Sequence, residues 1–141
     1  MPMSSAETGG ARAALHNAPL TSELGQILCQ RFDAVDAMDI ERFLDVHTDD
    51  GNLIFGNRPP VRGKAEMSEQ IQEFWRAIAG VRHDVVRVGV AEATVFVESV
   101  VTYKRLDGRS VGVACCDVFE FEGDRIRQTR AYLDQSQVFA P

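Results

Sequence analysis

The sequence predicts an α+β domain in which helices come first and a curled antiparallel sheet comes last. Residues 116–134 (CDVFEFEGDRIRQTRAYLD) read as two strands joined by the two-residue turn Gly123-Asp124. Residues 56–75 (GNRPPVRGKAEMSEQIQEFW) read as a Pro-rich turn followed by an amphipathic helix. We therefore expect three N-terminal helices on the concave face of a sheet built mainly from residues 81–133.

The composition is that of an ordinary globular domain, with 45% apolar and 26% charged residues in a chain of 141. We expect one domain over 20–141, preceded by a flexible N-terminal arm at 1–19 that is rich in Ala, Gly, Ser and Thr. The net charge of −6 and the lack of a basic run argue against a nucleic-acid partner and an anionic membrane surface.

The three cysteines do not suggest a disulfide framework, because their number is odd and two of them are adjacent. Reduced thiols are typical of the cytoplasm. No apolar stretch approaches the roughly 20 residues of a membrane span, and the N-terminus has no apolar signal core. The sequence therefore predicts a cytoplasmic protein with no membrane partner.

Three helices are predicted from apolar residues that recur every three to four positions. The first is expected over 21–37, with Thr21 as its N-cap, and the second begins at the cap residue Asp39. The third is expected over 64–79. Arg31 falls in the apolar stripe of the first helix, so it needs either an acidic partner or a substrate anion.

The rest of the chain reads as strands. A short strand at 52–56 is followed by longer ones at 81–90, 93–105, 110–122 and 125–133. The strand 110–122 is apolar on both faces, and only one face can cover the helices. The other face carries small apolar side chains, which suggests a homodimer contact between two sheets. Those side chains are Ala114, Cys116 and Val118.

No glycine-rich phosphate loop, metal-ligand spacing of Cys and His, or Gly-x-Ser-x-Gly elbow occurs in the sequence, so we expect no cofactor and no metal. The sharpest candidate is Asp117, which shares a strand face with Phe119 and Phe121 toward the helices. A carboxyl among aromatic side chains is costly to ionise and could donate a hydrogen bond to a substrate oxygen. Alternatively, it pairs with Arg31 or another buried donor in a structural role.

Two histidines fall within predicted elements. His47 extends the apolar stripe of the second helix, a position more typical of a core histidine than of a catalyst. His83 opens the strand 81–90 and could act as a general acid or base. The alternation of apolar residues favours the strand face that carries Asp84 as the buried one. His83 lies on the opposite face with Arg87, so it faces the pocket only if a bulge intervenes or Arg87 lies at the rim.

Three segments together resemble the SnoaL-like, nuclear-transport-factor-2-like superfamily, over about residues 21–139. They are VDAMDIERFLDVHTDDGNLIF (35–55), PPVRGKAEMSEQIQEFW (59–75) and the strand pair at 116–134. The resemblance implies a cone-shaped fold, in which three helices pack into a strongly curved mixed sheet around a deep apolar pocket. The superfamily includes ketosteroid isomerases, polyketide cyclases, limonene epoxide hydrolases, dehydratases of scytalone and bile acids, and non-catalytic proteins.

The resemblance carries over to single residues only in part. Asp117 matches the protonated oxyanion-hole Asp of the ketosteroid isomerases. The isomerase general base, however, falls at Phe55, and its oxyanion tyrosine falls at Arg31. The Asp that polyketide cyclases and epoxide hydrolases require falls at Ala131, and the Arg and companion Asp of the epoxide hydrolases fall at Ser99 and Val101.

The dehydratases of the superfamily match better. Their helix-one Asp aligns with Asp36 and their strand-two His with His83, which implies a dyad whose carboxylate fixes the imidazole tautomer. Their helix tyrosines fall at Arg31 or Val35. The residues expected to line a substrate pocket are Arg31, His47, Phe55, Trp75, Val101 and Tyr103.

These observations favour a cofactor-independent lyase or isomerase acting on a small, mostly apolar, carbonyl-bearing molecule. His83 would be the acid or base, Asp36 would orient it, and Asp117 would donate a hydrogen bond. The alternative is a non-catalytic module of the same fold that binds a small molecule or mediates dimerisation. A third possibility is an association domain of a larger enzyme.

Overall fold

The computed structural model describes Leu15, Ala18 and residues 20–141. The described chain confirms the α+β class, with three helices, six strands and a short C-terminal turn of 3₁₀-helix. In chain order these are α1 (Ser22–Asp36), α2 (Ile40–Asp45), β1 (His47–Phe55), β2 (Val61–Arg62), α3 (Gly63–Arg76), β3 (Gly80–Ala91), β4 (Thr94–Lys104), β5 (Ser110–Glu122), β6 (Arg125–Leu133) and the 3₁₀ turn (Ser136–Val138).

The sheet has the strand order β2-β1-β6-β5-β4-β3. Only the β1–β6 pair is parallel, and the other four pairs are antiparallel. This is the curved, mixed and mostly antiparallel sheet that the sequence predicts, and the three helices pack on its concave face. β3 lies at one edge, which matters for the site described below.

Side-chain caps begin the first two helices where the sequence predicts them. Thr21 Oγ1 accepts a hydrogen bond from the backbone N–H of Leu24 at 3.3 Å, and Asp39 Oδ1 accepts one from Arg42 at 3.2 Å. Each bond satisfies a backbone donor that has no partner inside the helix. The caps therefore fix where α1 and α2 begin.

Two helix ends differ from the prediction because the chain joins the sheet earlier than the local pattern suggests. α3 ends at Arg76 rather than at 79, and the Ala79 N–H already donates to the Lys104 carbonyl at 2.8 Å. α2 ends at Asp45, and the Val46 carbonyl accepts from the Ile126 N–H at 2.8 Å. His47 therefore begins β1 and is not part of a helix.

A β-bulge in β3 decides which way His83 points. Val85 pairs with Ser99 and Arg87 pairs with Glu98, so Val86 is an extra residue with no partner on β4. One extra residue reverses the side-chain alternation. His83 is consequently buried, while Val86 is 50% exposed. The bulge settles the question that simple alternation leaves open.

The predicted N-terminal arm at 1–19 lies almost entirely outside the described residues. Within it Leu15 is buried in the same apolar cluster as Leu28 and Phe32. The boundary at residue 20 stays a prediction. None of the helices in the described part of the chain is long and apolar enough to cross a membrane.

The outward face of the sheet is apolar and exposed at its centre. Phe96 is 37% exposed, Val100 41% and Tyr132 56%. The strand pairing sets Val100 beside Ala114, Phe96 beside Val118 and Tyr132 beside Cys116, with Glu98 and Arg130 among them on the same face. Exposed apolar side chains grouped on one face are typical of interaction sites.

We propose that this outward face is a homodimer contact, and Ala114→Arg tests it. Ala114 is exposed at the centre of the face, so a buried, unpaired guanidinium there should prevent association. We expect a dimer for the unchanged protein and a monomer for the variant in sedimentation velocity. Ala65→Arg is the matched control, because Ala65 is exposed on α3. A dimer that survives Ala114→Arg, or a monomeric parent protein, would contradict the placement.

Candidate functional site

A cavity of about 510 Å³ lies between the helices and the concave face of the sheet. Its deep part is mostly apolar, and its mouth is formed by exposed residues of the Pro-rich loop and of α3. The deep lining includes Arg31, Val35, Phe43, Phe55, Ile71, Trp75, Ile78, Val81, His83, Val101, Tyr103, Cys115, Asp117, Ala131 and Leu133. The exposed mouth residues are Arg58, Pro59, Pro60, Glu66, Glu69 and Gln70.

His83 and Asp36 form a buried hydrogen-bonded pair in the wall of this cavity. His83 Nδ1 lies 2.7 Å from Asp36 Oδ1, and the backbone N–H of His83 donates to Asp36 Oδ2 at 3.2 Å. The two residues are only 6% and 4% exposed. His83 lines the cavity whereas Asp36 does not, so the carboxylate holds the imidazole from behind. The contact predicted for a dyad is present, and its catalytic role remains a prediction.

The pair leaves one ring nitrogen for chemistry. A carboxylate only accepts hydrogen bonds, so Nδ1 is the donor toward Asp36. In the neutral imidazole, Nε2 is then the nitrogen that carries a lone pair. The ring of Phe32 meets the imidazole edge-on, with ring centres 5.1 Å apart, and helps fix its orientation. The arrangement suits a general base.

Asp117 lies in the cavity wall on the central strand β5 and is 2% exposed. Its Oδ1 is 3.8 Å from Cys115 Sγ, a weak contact, and its Oδ2 has no hydrogen-bond partner. The predicted alternative, a pairing with Arg31, is absent, since no ion pair joins the two side chains.

Tyr103 and Cys115 line the cavity as protonated groups. Burial raises the pKa of the Tyr103 phenol to about 12, although its oxygen accepts a hydrogen bond from Gln135 Nε2 at 2.9 Å. Burial, followed by the neighbouring Asp117, raises the pKa of the Cys115 thiol above its usual range. Tyr103 is therefore available as a hydrogen-bond donor, and Cys115 is unsuited to act as a nucleophile.

Arg31 is 4% exposed and faces the cavity from α1. Its guanidinium carbon lies 5.0 Å from the ring centre of Phe32, 5.3 Å from that of Phe119 and 5.7 Å from that of Phe43. Three aromatic rings thus surround a buried cation. Phe55, Trp75 and Val101 line the cavity as the sequence predicts and form apolar wall.

The expectation that His47 lines the pocket is wrong. Its Nδ1 donates to the Phe43 carbonyl at 2.7 Å, its ring packs on that of Phe43, and it is absent from the cavity lining. Burial lowers the pKa of His47 to about 4. His47 lies outside the cavity lining because α2 ends at Asp45, which places His47 at the start of β1. It is a neutral core histidine.

Sequence reasoning missed several lining residues. Cys115 shares its strand face with Asp117, so alternation contains the signal for it. Gln135 follows the last strand and reaches Tyr103 from a segment with no periodic pattern. Arg58, at the mouth of the cavity, also lies in a segment with no periodic pattern. Among the residues that the structure describes, no cluster of three or more His, Cys, Asp or Glu side chains could hold a metal ion.

Comparison with known families identifies the class of protein that this fold and cavity define. Residues 30–129 match the family model of the SnoaL-like domain. The match covers more than half of the chain, so the chain belongs to the SnoaL-like family. No curated protein matches the sequence.

Solved structures with the same fold are similar in shape but distant in sequence. An NTF2-like protein of unknown function from Burkholderia pseudomallei is 17% identical, with a TM-score of 0.77 over 85% of this chain and 100% of that chain. A putative SnoaL-like polyketide cyclase from a Jannaschia species is 15% identical, with a TM-score of 0.73 over 89% and 98%. An LEH-like epoxide hydrolase from M. tuberculosis is 21% identical, with a TM-score of 0.72 over 86% and 90%. At these identities the similarity shows the fold.

The low pKa of His47 predicts an acid-sensitive fold. The folded pKa of about 4 lies below the unfolded value of 6.5, so the unfolded chain takes up a proton first as the pH falls. The stabilisation is complete above about pH 6.5 and is lost progressively toward pH 4, amounting to about 3 kcal/mol in full. Between about pH 7 and pH 5, urea unfolding should show a loss near 2 kcal/mol from this group.

His47→Gln isolates that contribution, because glutamine does not titrate. The variant should lose less stability than the unchanged protein over the same pH interval, whatever its stability at neutral pH. Equal losses for both proteins would show that His47 does not become protonated on unfolding and would contradict its burial as a neutral ring.

Proposed function

We propose that this protein is a cofactor-independent enzyme of the lyase or isomerase type that moves a proton next to a carbonyl group. The observation that supports this is the 2.7 Å contact between His83 and Asp36 in the wall of the cavity. A histidine oriented by a carboxylate, with its second nitrogen left for a ligand, is the arrangement of a general base.

Two further groups suit the oxygen on which negative charge develops. Removal of a proton beside a carbonyl turns the carbonyl oxygen into an enolate, which hydrogen-bond donors stabilise. Tyr103, whose pKa burial raises to about 12, is a donor that lines the same cavity as His83, and we propose Asp117 in the same lining as the second donor. Base and donors are thus different residues, as proton transfer requires.

The cavity does not favour the reactions named for the structural neighbours. The resemblance places the essential Asp of cyclases and epoxide hydrolases at Ala131 and the isomerase base at Phe55. Both residues line the cavity, so these positions face a ligand but carry no group that exchanges protons. With these positions excluded, His83 is the predicted residue that could act as the base.

The walls indicate the kind of substrate. A cavity of about 510 Å³ with mostly apolar deep walls suits a small, mostly apolar molecule. We propose a carbonyl-bearing substrate, because His83, Asp117 and Tyr103 would act on its α-proton and oxygen. We further propose that the protein acts in the cytoplasm, which the reduced thiols of Cys115 and Cys116 support.

The second candidate is a non-catalytic module that binds a small molecule. The observation that favours it is the replacement of the isomerase base and tyrosine by Phe55 and Arg31, which leaves a formed cavity without that machinery. In this case the pair of Asp36 and His83 would be structural, tying α1 to the sheet.

Deuterium exchange tests the proposal without knowledge of the complete reaction. A panel of small apolar ketones and hydroxyketones is incubated with the protein in heavy water, and loss of the α-proton signal is followed by NMR. We expect catalysed exchange for part of the panel. His83→Ala should lower its rate about a hundred- to ten-thousand-fold, because the base is removed.

His47→Gln serves as the control, since His47 lies outside the cavity, and it should exchange at the rate of the unchanged protein. Ligand binding, measured by thermal shift, separates the two candidates. Compounds that bind in the cavity without any exchange above background would favour the binding module. Full exchange activity in His83→Ala would eliminate the proposed mechanism.

A further inference from the structure

Arg31 is a buried cation in the wall of the cavity. It is 4% exposed and lines the cavity, and no carboxylate among the described residues forms an ion pair with it. Its Nε–H has no hydrogen-bond partner. The three aromatic rings around the guanidinium attract its charge but give Nε–H no oxygen acceptor.

Such an arrangement is costly in the protein alone. Transfer of an unpaired charge out of water is among the largest penalties in folding, and buried polar groups are almost always hydrogen-bonded. A purely structural arginine would normally bind a carboxylate or a backbone carbonyl. A buried guanidinium in a cavity wall, with no ion-pair partner among the described residues, therefore indicates that the missing partner comes from a ligand.

Arg31 and Asp117 line the same cavity, and neither group satisfies the other. Arg31 lowers the pKa of both Tyr103 and Cys115, whereas Asp117 raises it, so the two groups act on the same pair of side chains. Yet Asp117 Oδ2 is also without a partner. A ligand group placed there would find one cationic donor, one carboxyl and one phenol.

We propose that Arg31 is an anion-binding subsite, and that the substrate is an apolar molecule that carries a carboxylate. A single negative charge matches the single arginine of the deep lining, which contains no lysine. A phosphate would bring nearly two charges into a cavity whose deep wall is mostly apolar and has one arginine. The proposal rests on the proposed function only in taking the cavity as the substrate site, and it assigns no proton transfer to Arg31.

Calorimetric titration with a matched pair of probes tests this subsite. Naphthoate and its neutral amide, naphthamide, have the same apolar body and differ in the group that Arg31 would bind. Charge-assisted hydrogen bonds favour the carboxylate, so naphthoate should bind about 10- to 100-fold more tightly. Arg31→Met should abolish the preference, while binding of the amide stays within a few-fold.

Two other arginines make the result specific. Arg76→Met changes the net charge equally at an exposed position outside the cavity, and the preference should persist. Arg58 lies at the mouth, so loss of the preference in Arg58→Met together with its retention in Arg31→Met would place the anion at the mouth and overturn the proposal. Equal affinities for the two probes in the unchanged protein would overturn it as well.

The NMR signals of the Arg31 guanidinium N–H groups give a readout that does not depend on a folded variant. They should shift downfield with naphthoate and stay in place with naphthamide, and a bound carboxylate that leaves all of them unmoved would contradict the subsite. The two proposals are tested by different measurements. Anion preference without any proton exchange would defeat the proposed function alone, and exchange without anion preference would defeat this one alone.

Discussion

The buried contact between Asp36 and His83 links the helices, the sheet and the cavity. β3 is the edge strand of the sheet, and His83 pairs with Val101 on the inner side. Its backbone N–H is satisfied by Asp36 from α1 rather than by another strand. One carboxylate therefore satisfies a backbone donor on the open side of this edge strand, fastens the end of α1 to the strand and orients the imidazole. The position of the candidate base therefore follows from the packing of α1 against β3.

Asp36 is a costly residue at this position, and the contact explains why it is tolerated. It is the last residue of α1, where the helix dipole disfavours a negative charge. The two hydrogen bonds from His83 offset that cost, and removal of the carboxylate would leave a buried N–H unsatisfied, at roughly 1–3 kcal/mol. Without such bonds, a negative charge at the C-terminal end of a helix would be destabilising.

Buried polar groups without a hydrogen-bond partner are a second feature that costs stability. Six buried side-chain atoms in the described part of the chain lack a hydrogen-bond partner, and those of Arg31 and Asp117 belong to residues that line the cavity. Stability alone would favour apolar residues at both positions. Local violations of this kind are typical of functional sites, where the ligand supplies the missing contact.

Local signals in the sequence predict most of the fold but only part of the site. The caps at Thr21 and Asp39 and the four long strands depend on short-range patterns, and they lie where the sequence predicts them to within a few residues. The direction of His83 depends on the bulge at Val86, which the alternation of apolar residues does not encode. The early end of α3 depends on a hydrogen bond to the distant Lys104, and the placement of His47 depends on pairing with β6.

Asp36 and His83 are 47 positions apart in the sequence. Periodicity relates only nearby residues, so their pairing was predictable only from the family resemblance. The hydrogen-bond states of the His83 ring nitrogens test this pairing most directly. In long-range ¹H–¹⁵N spectra of the neutral ring, the account predicts a protonated Nδ1 and a bare Nε2, and Asp36→Asn should disturb this pattern while leaving the signals of His47 unchanged. A proton on Nε2 in the unchanged protein, or a His83 pattern that Asp36→Asn does not alter, would contradict the account.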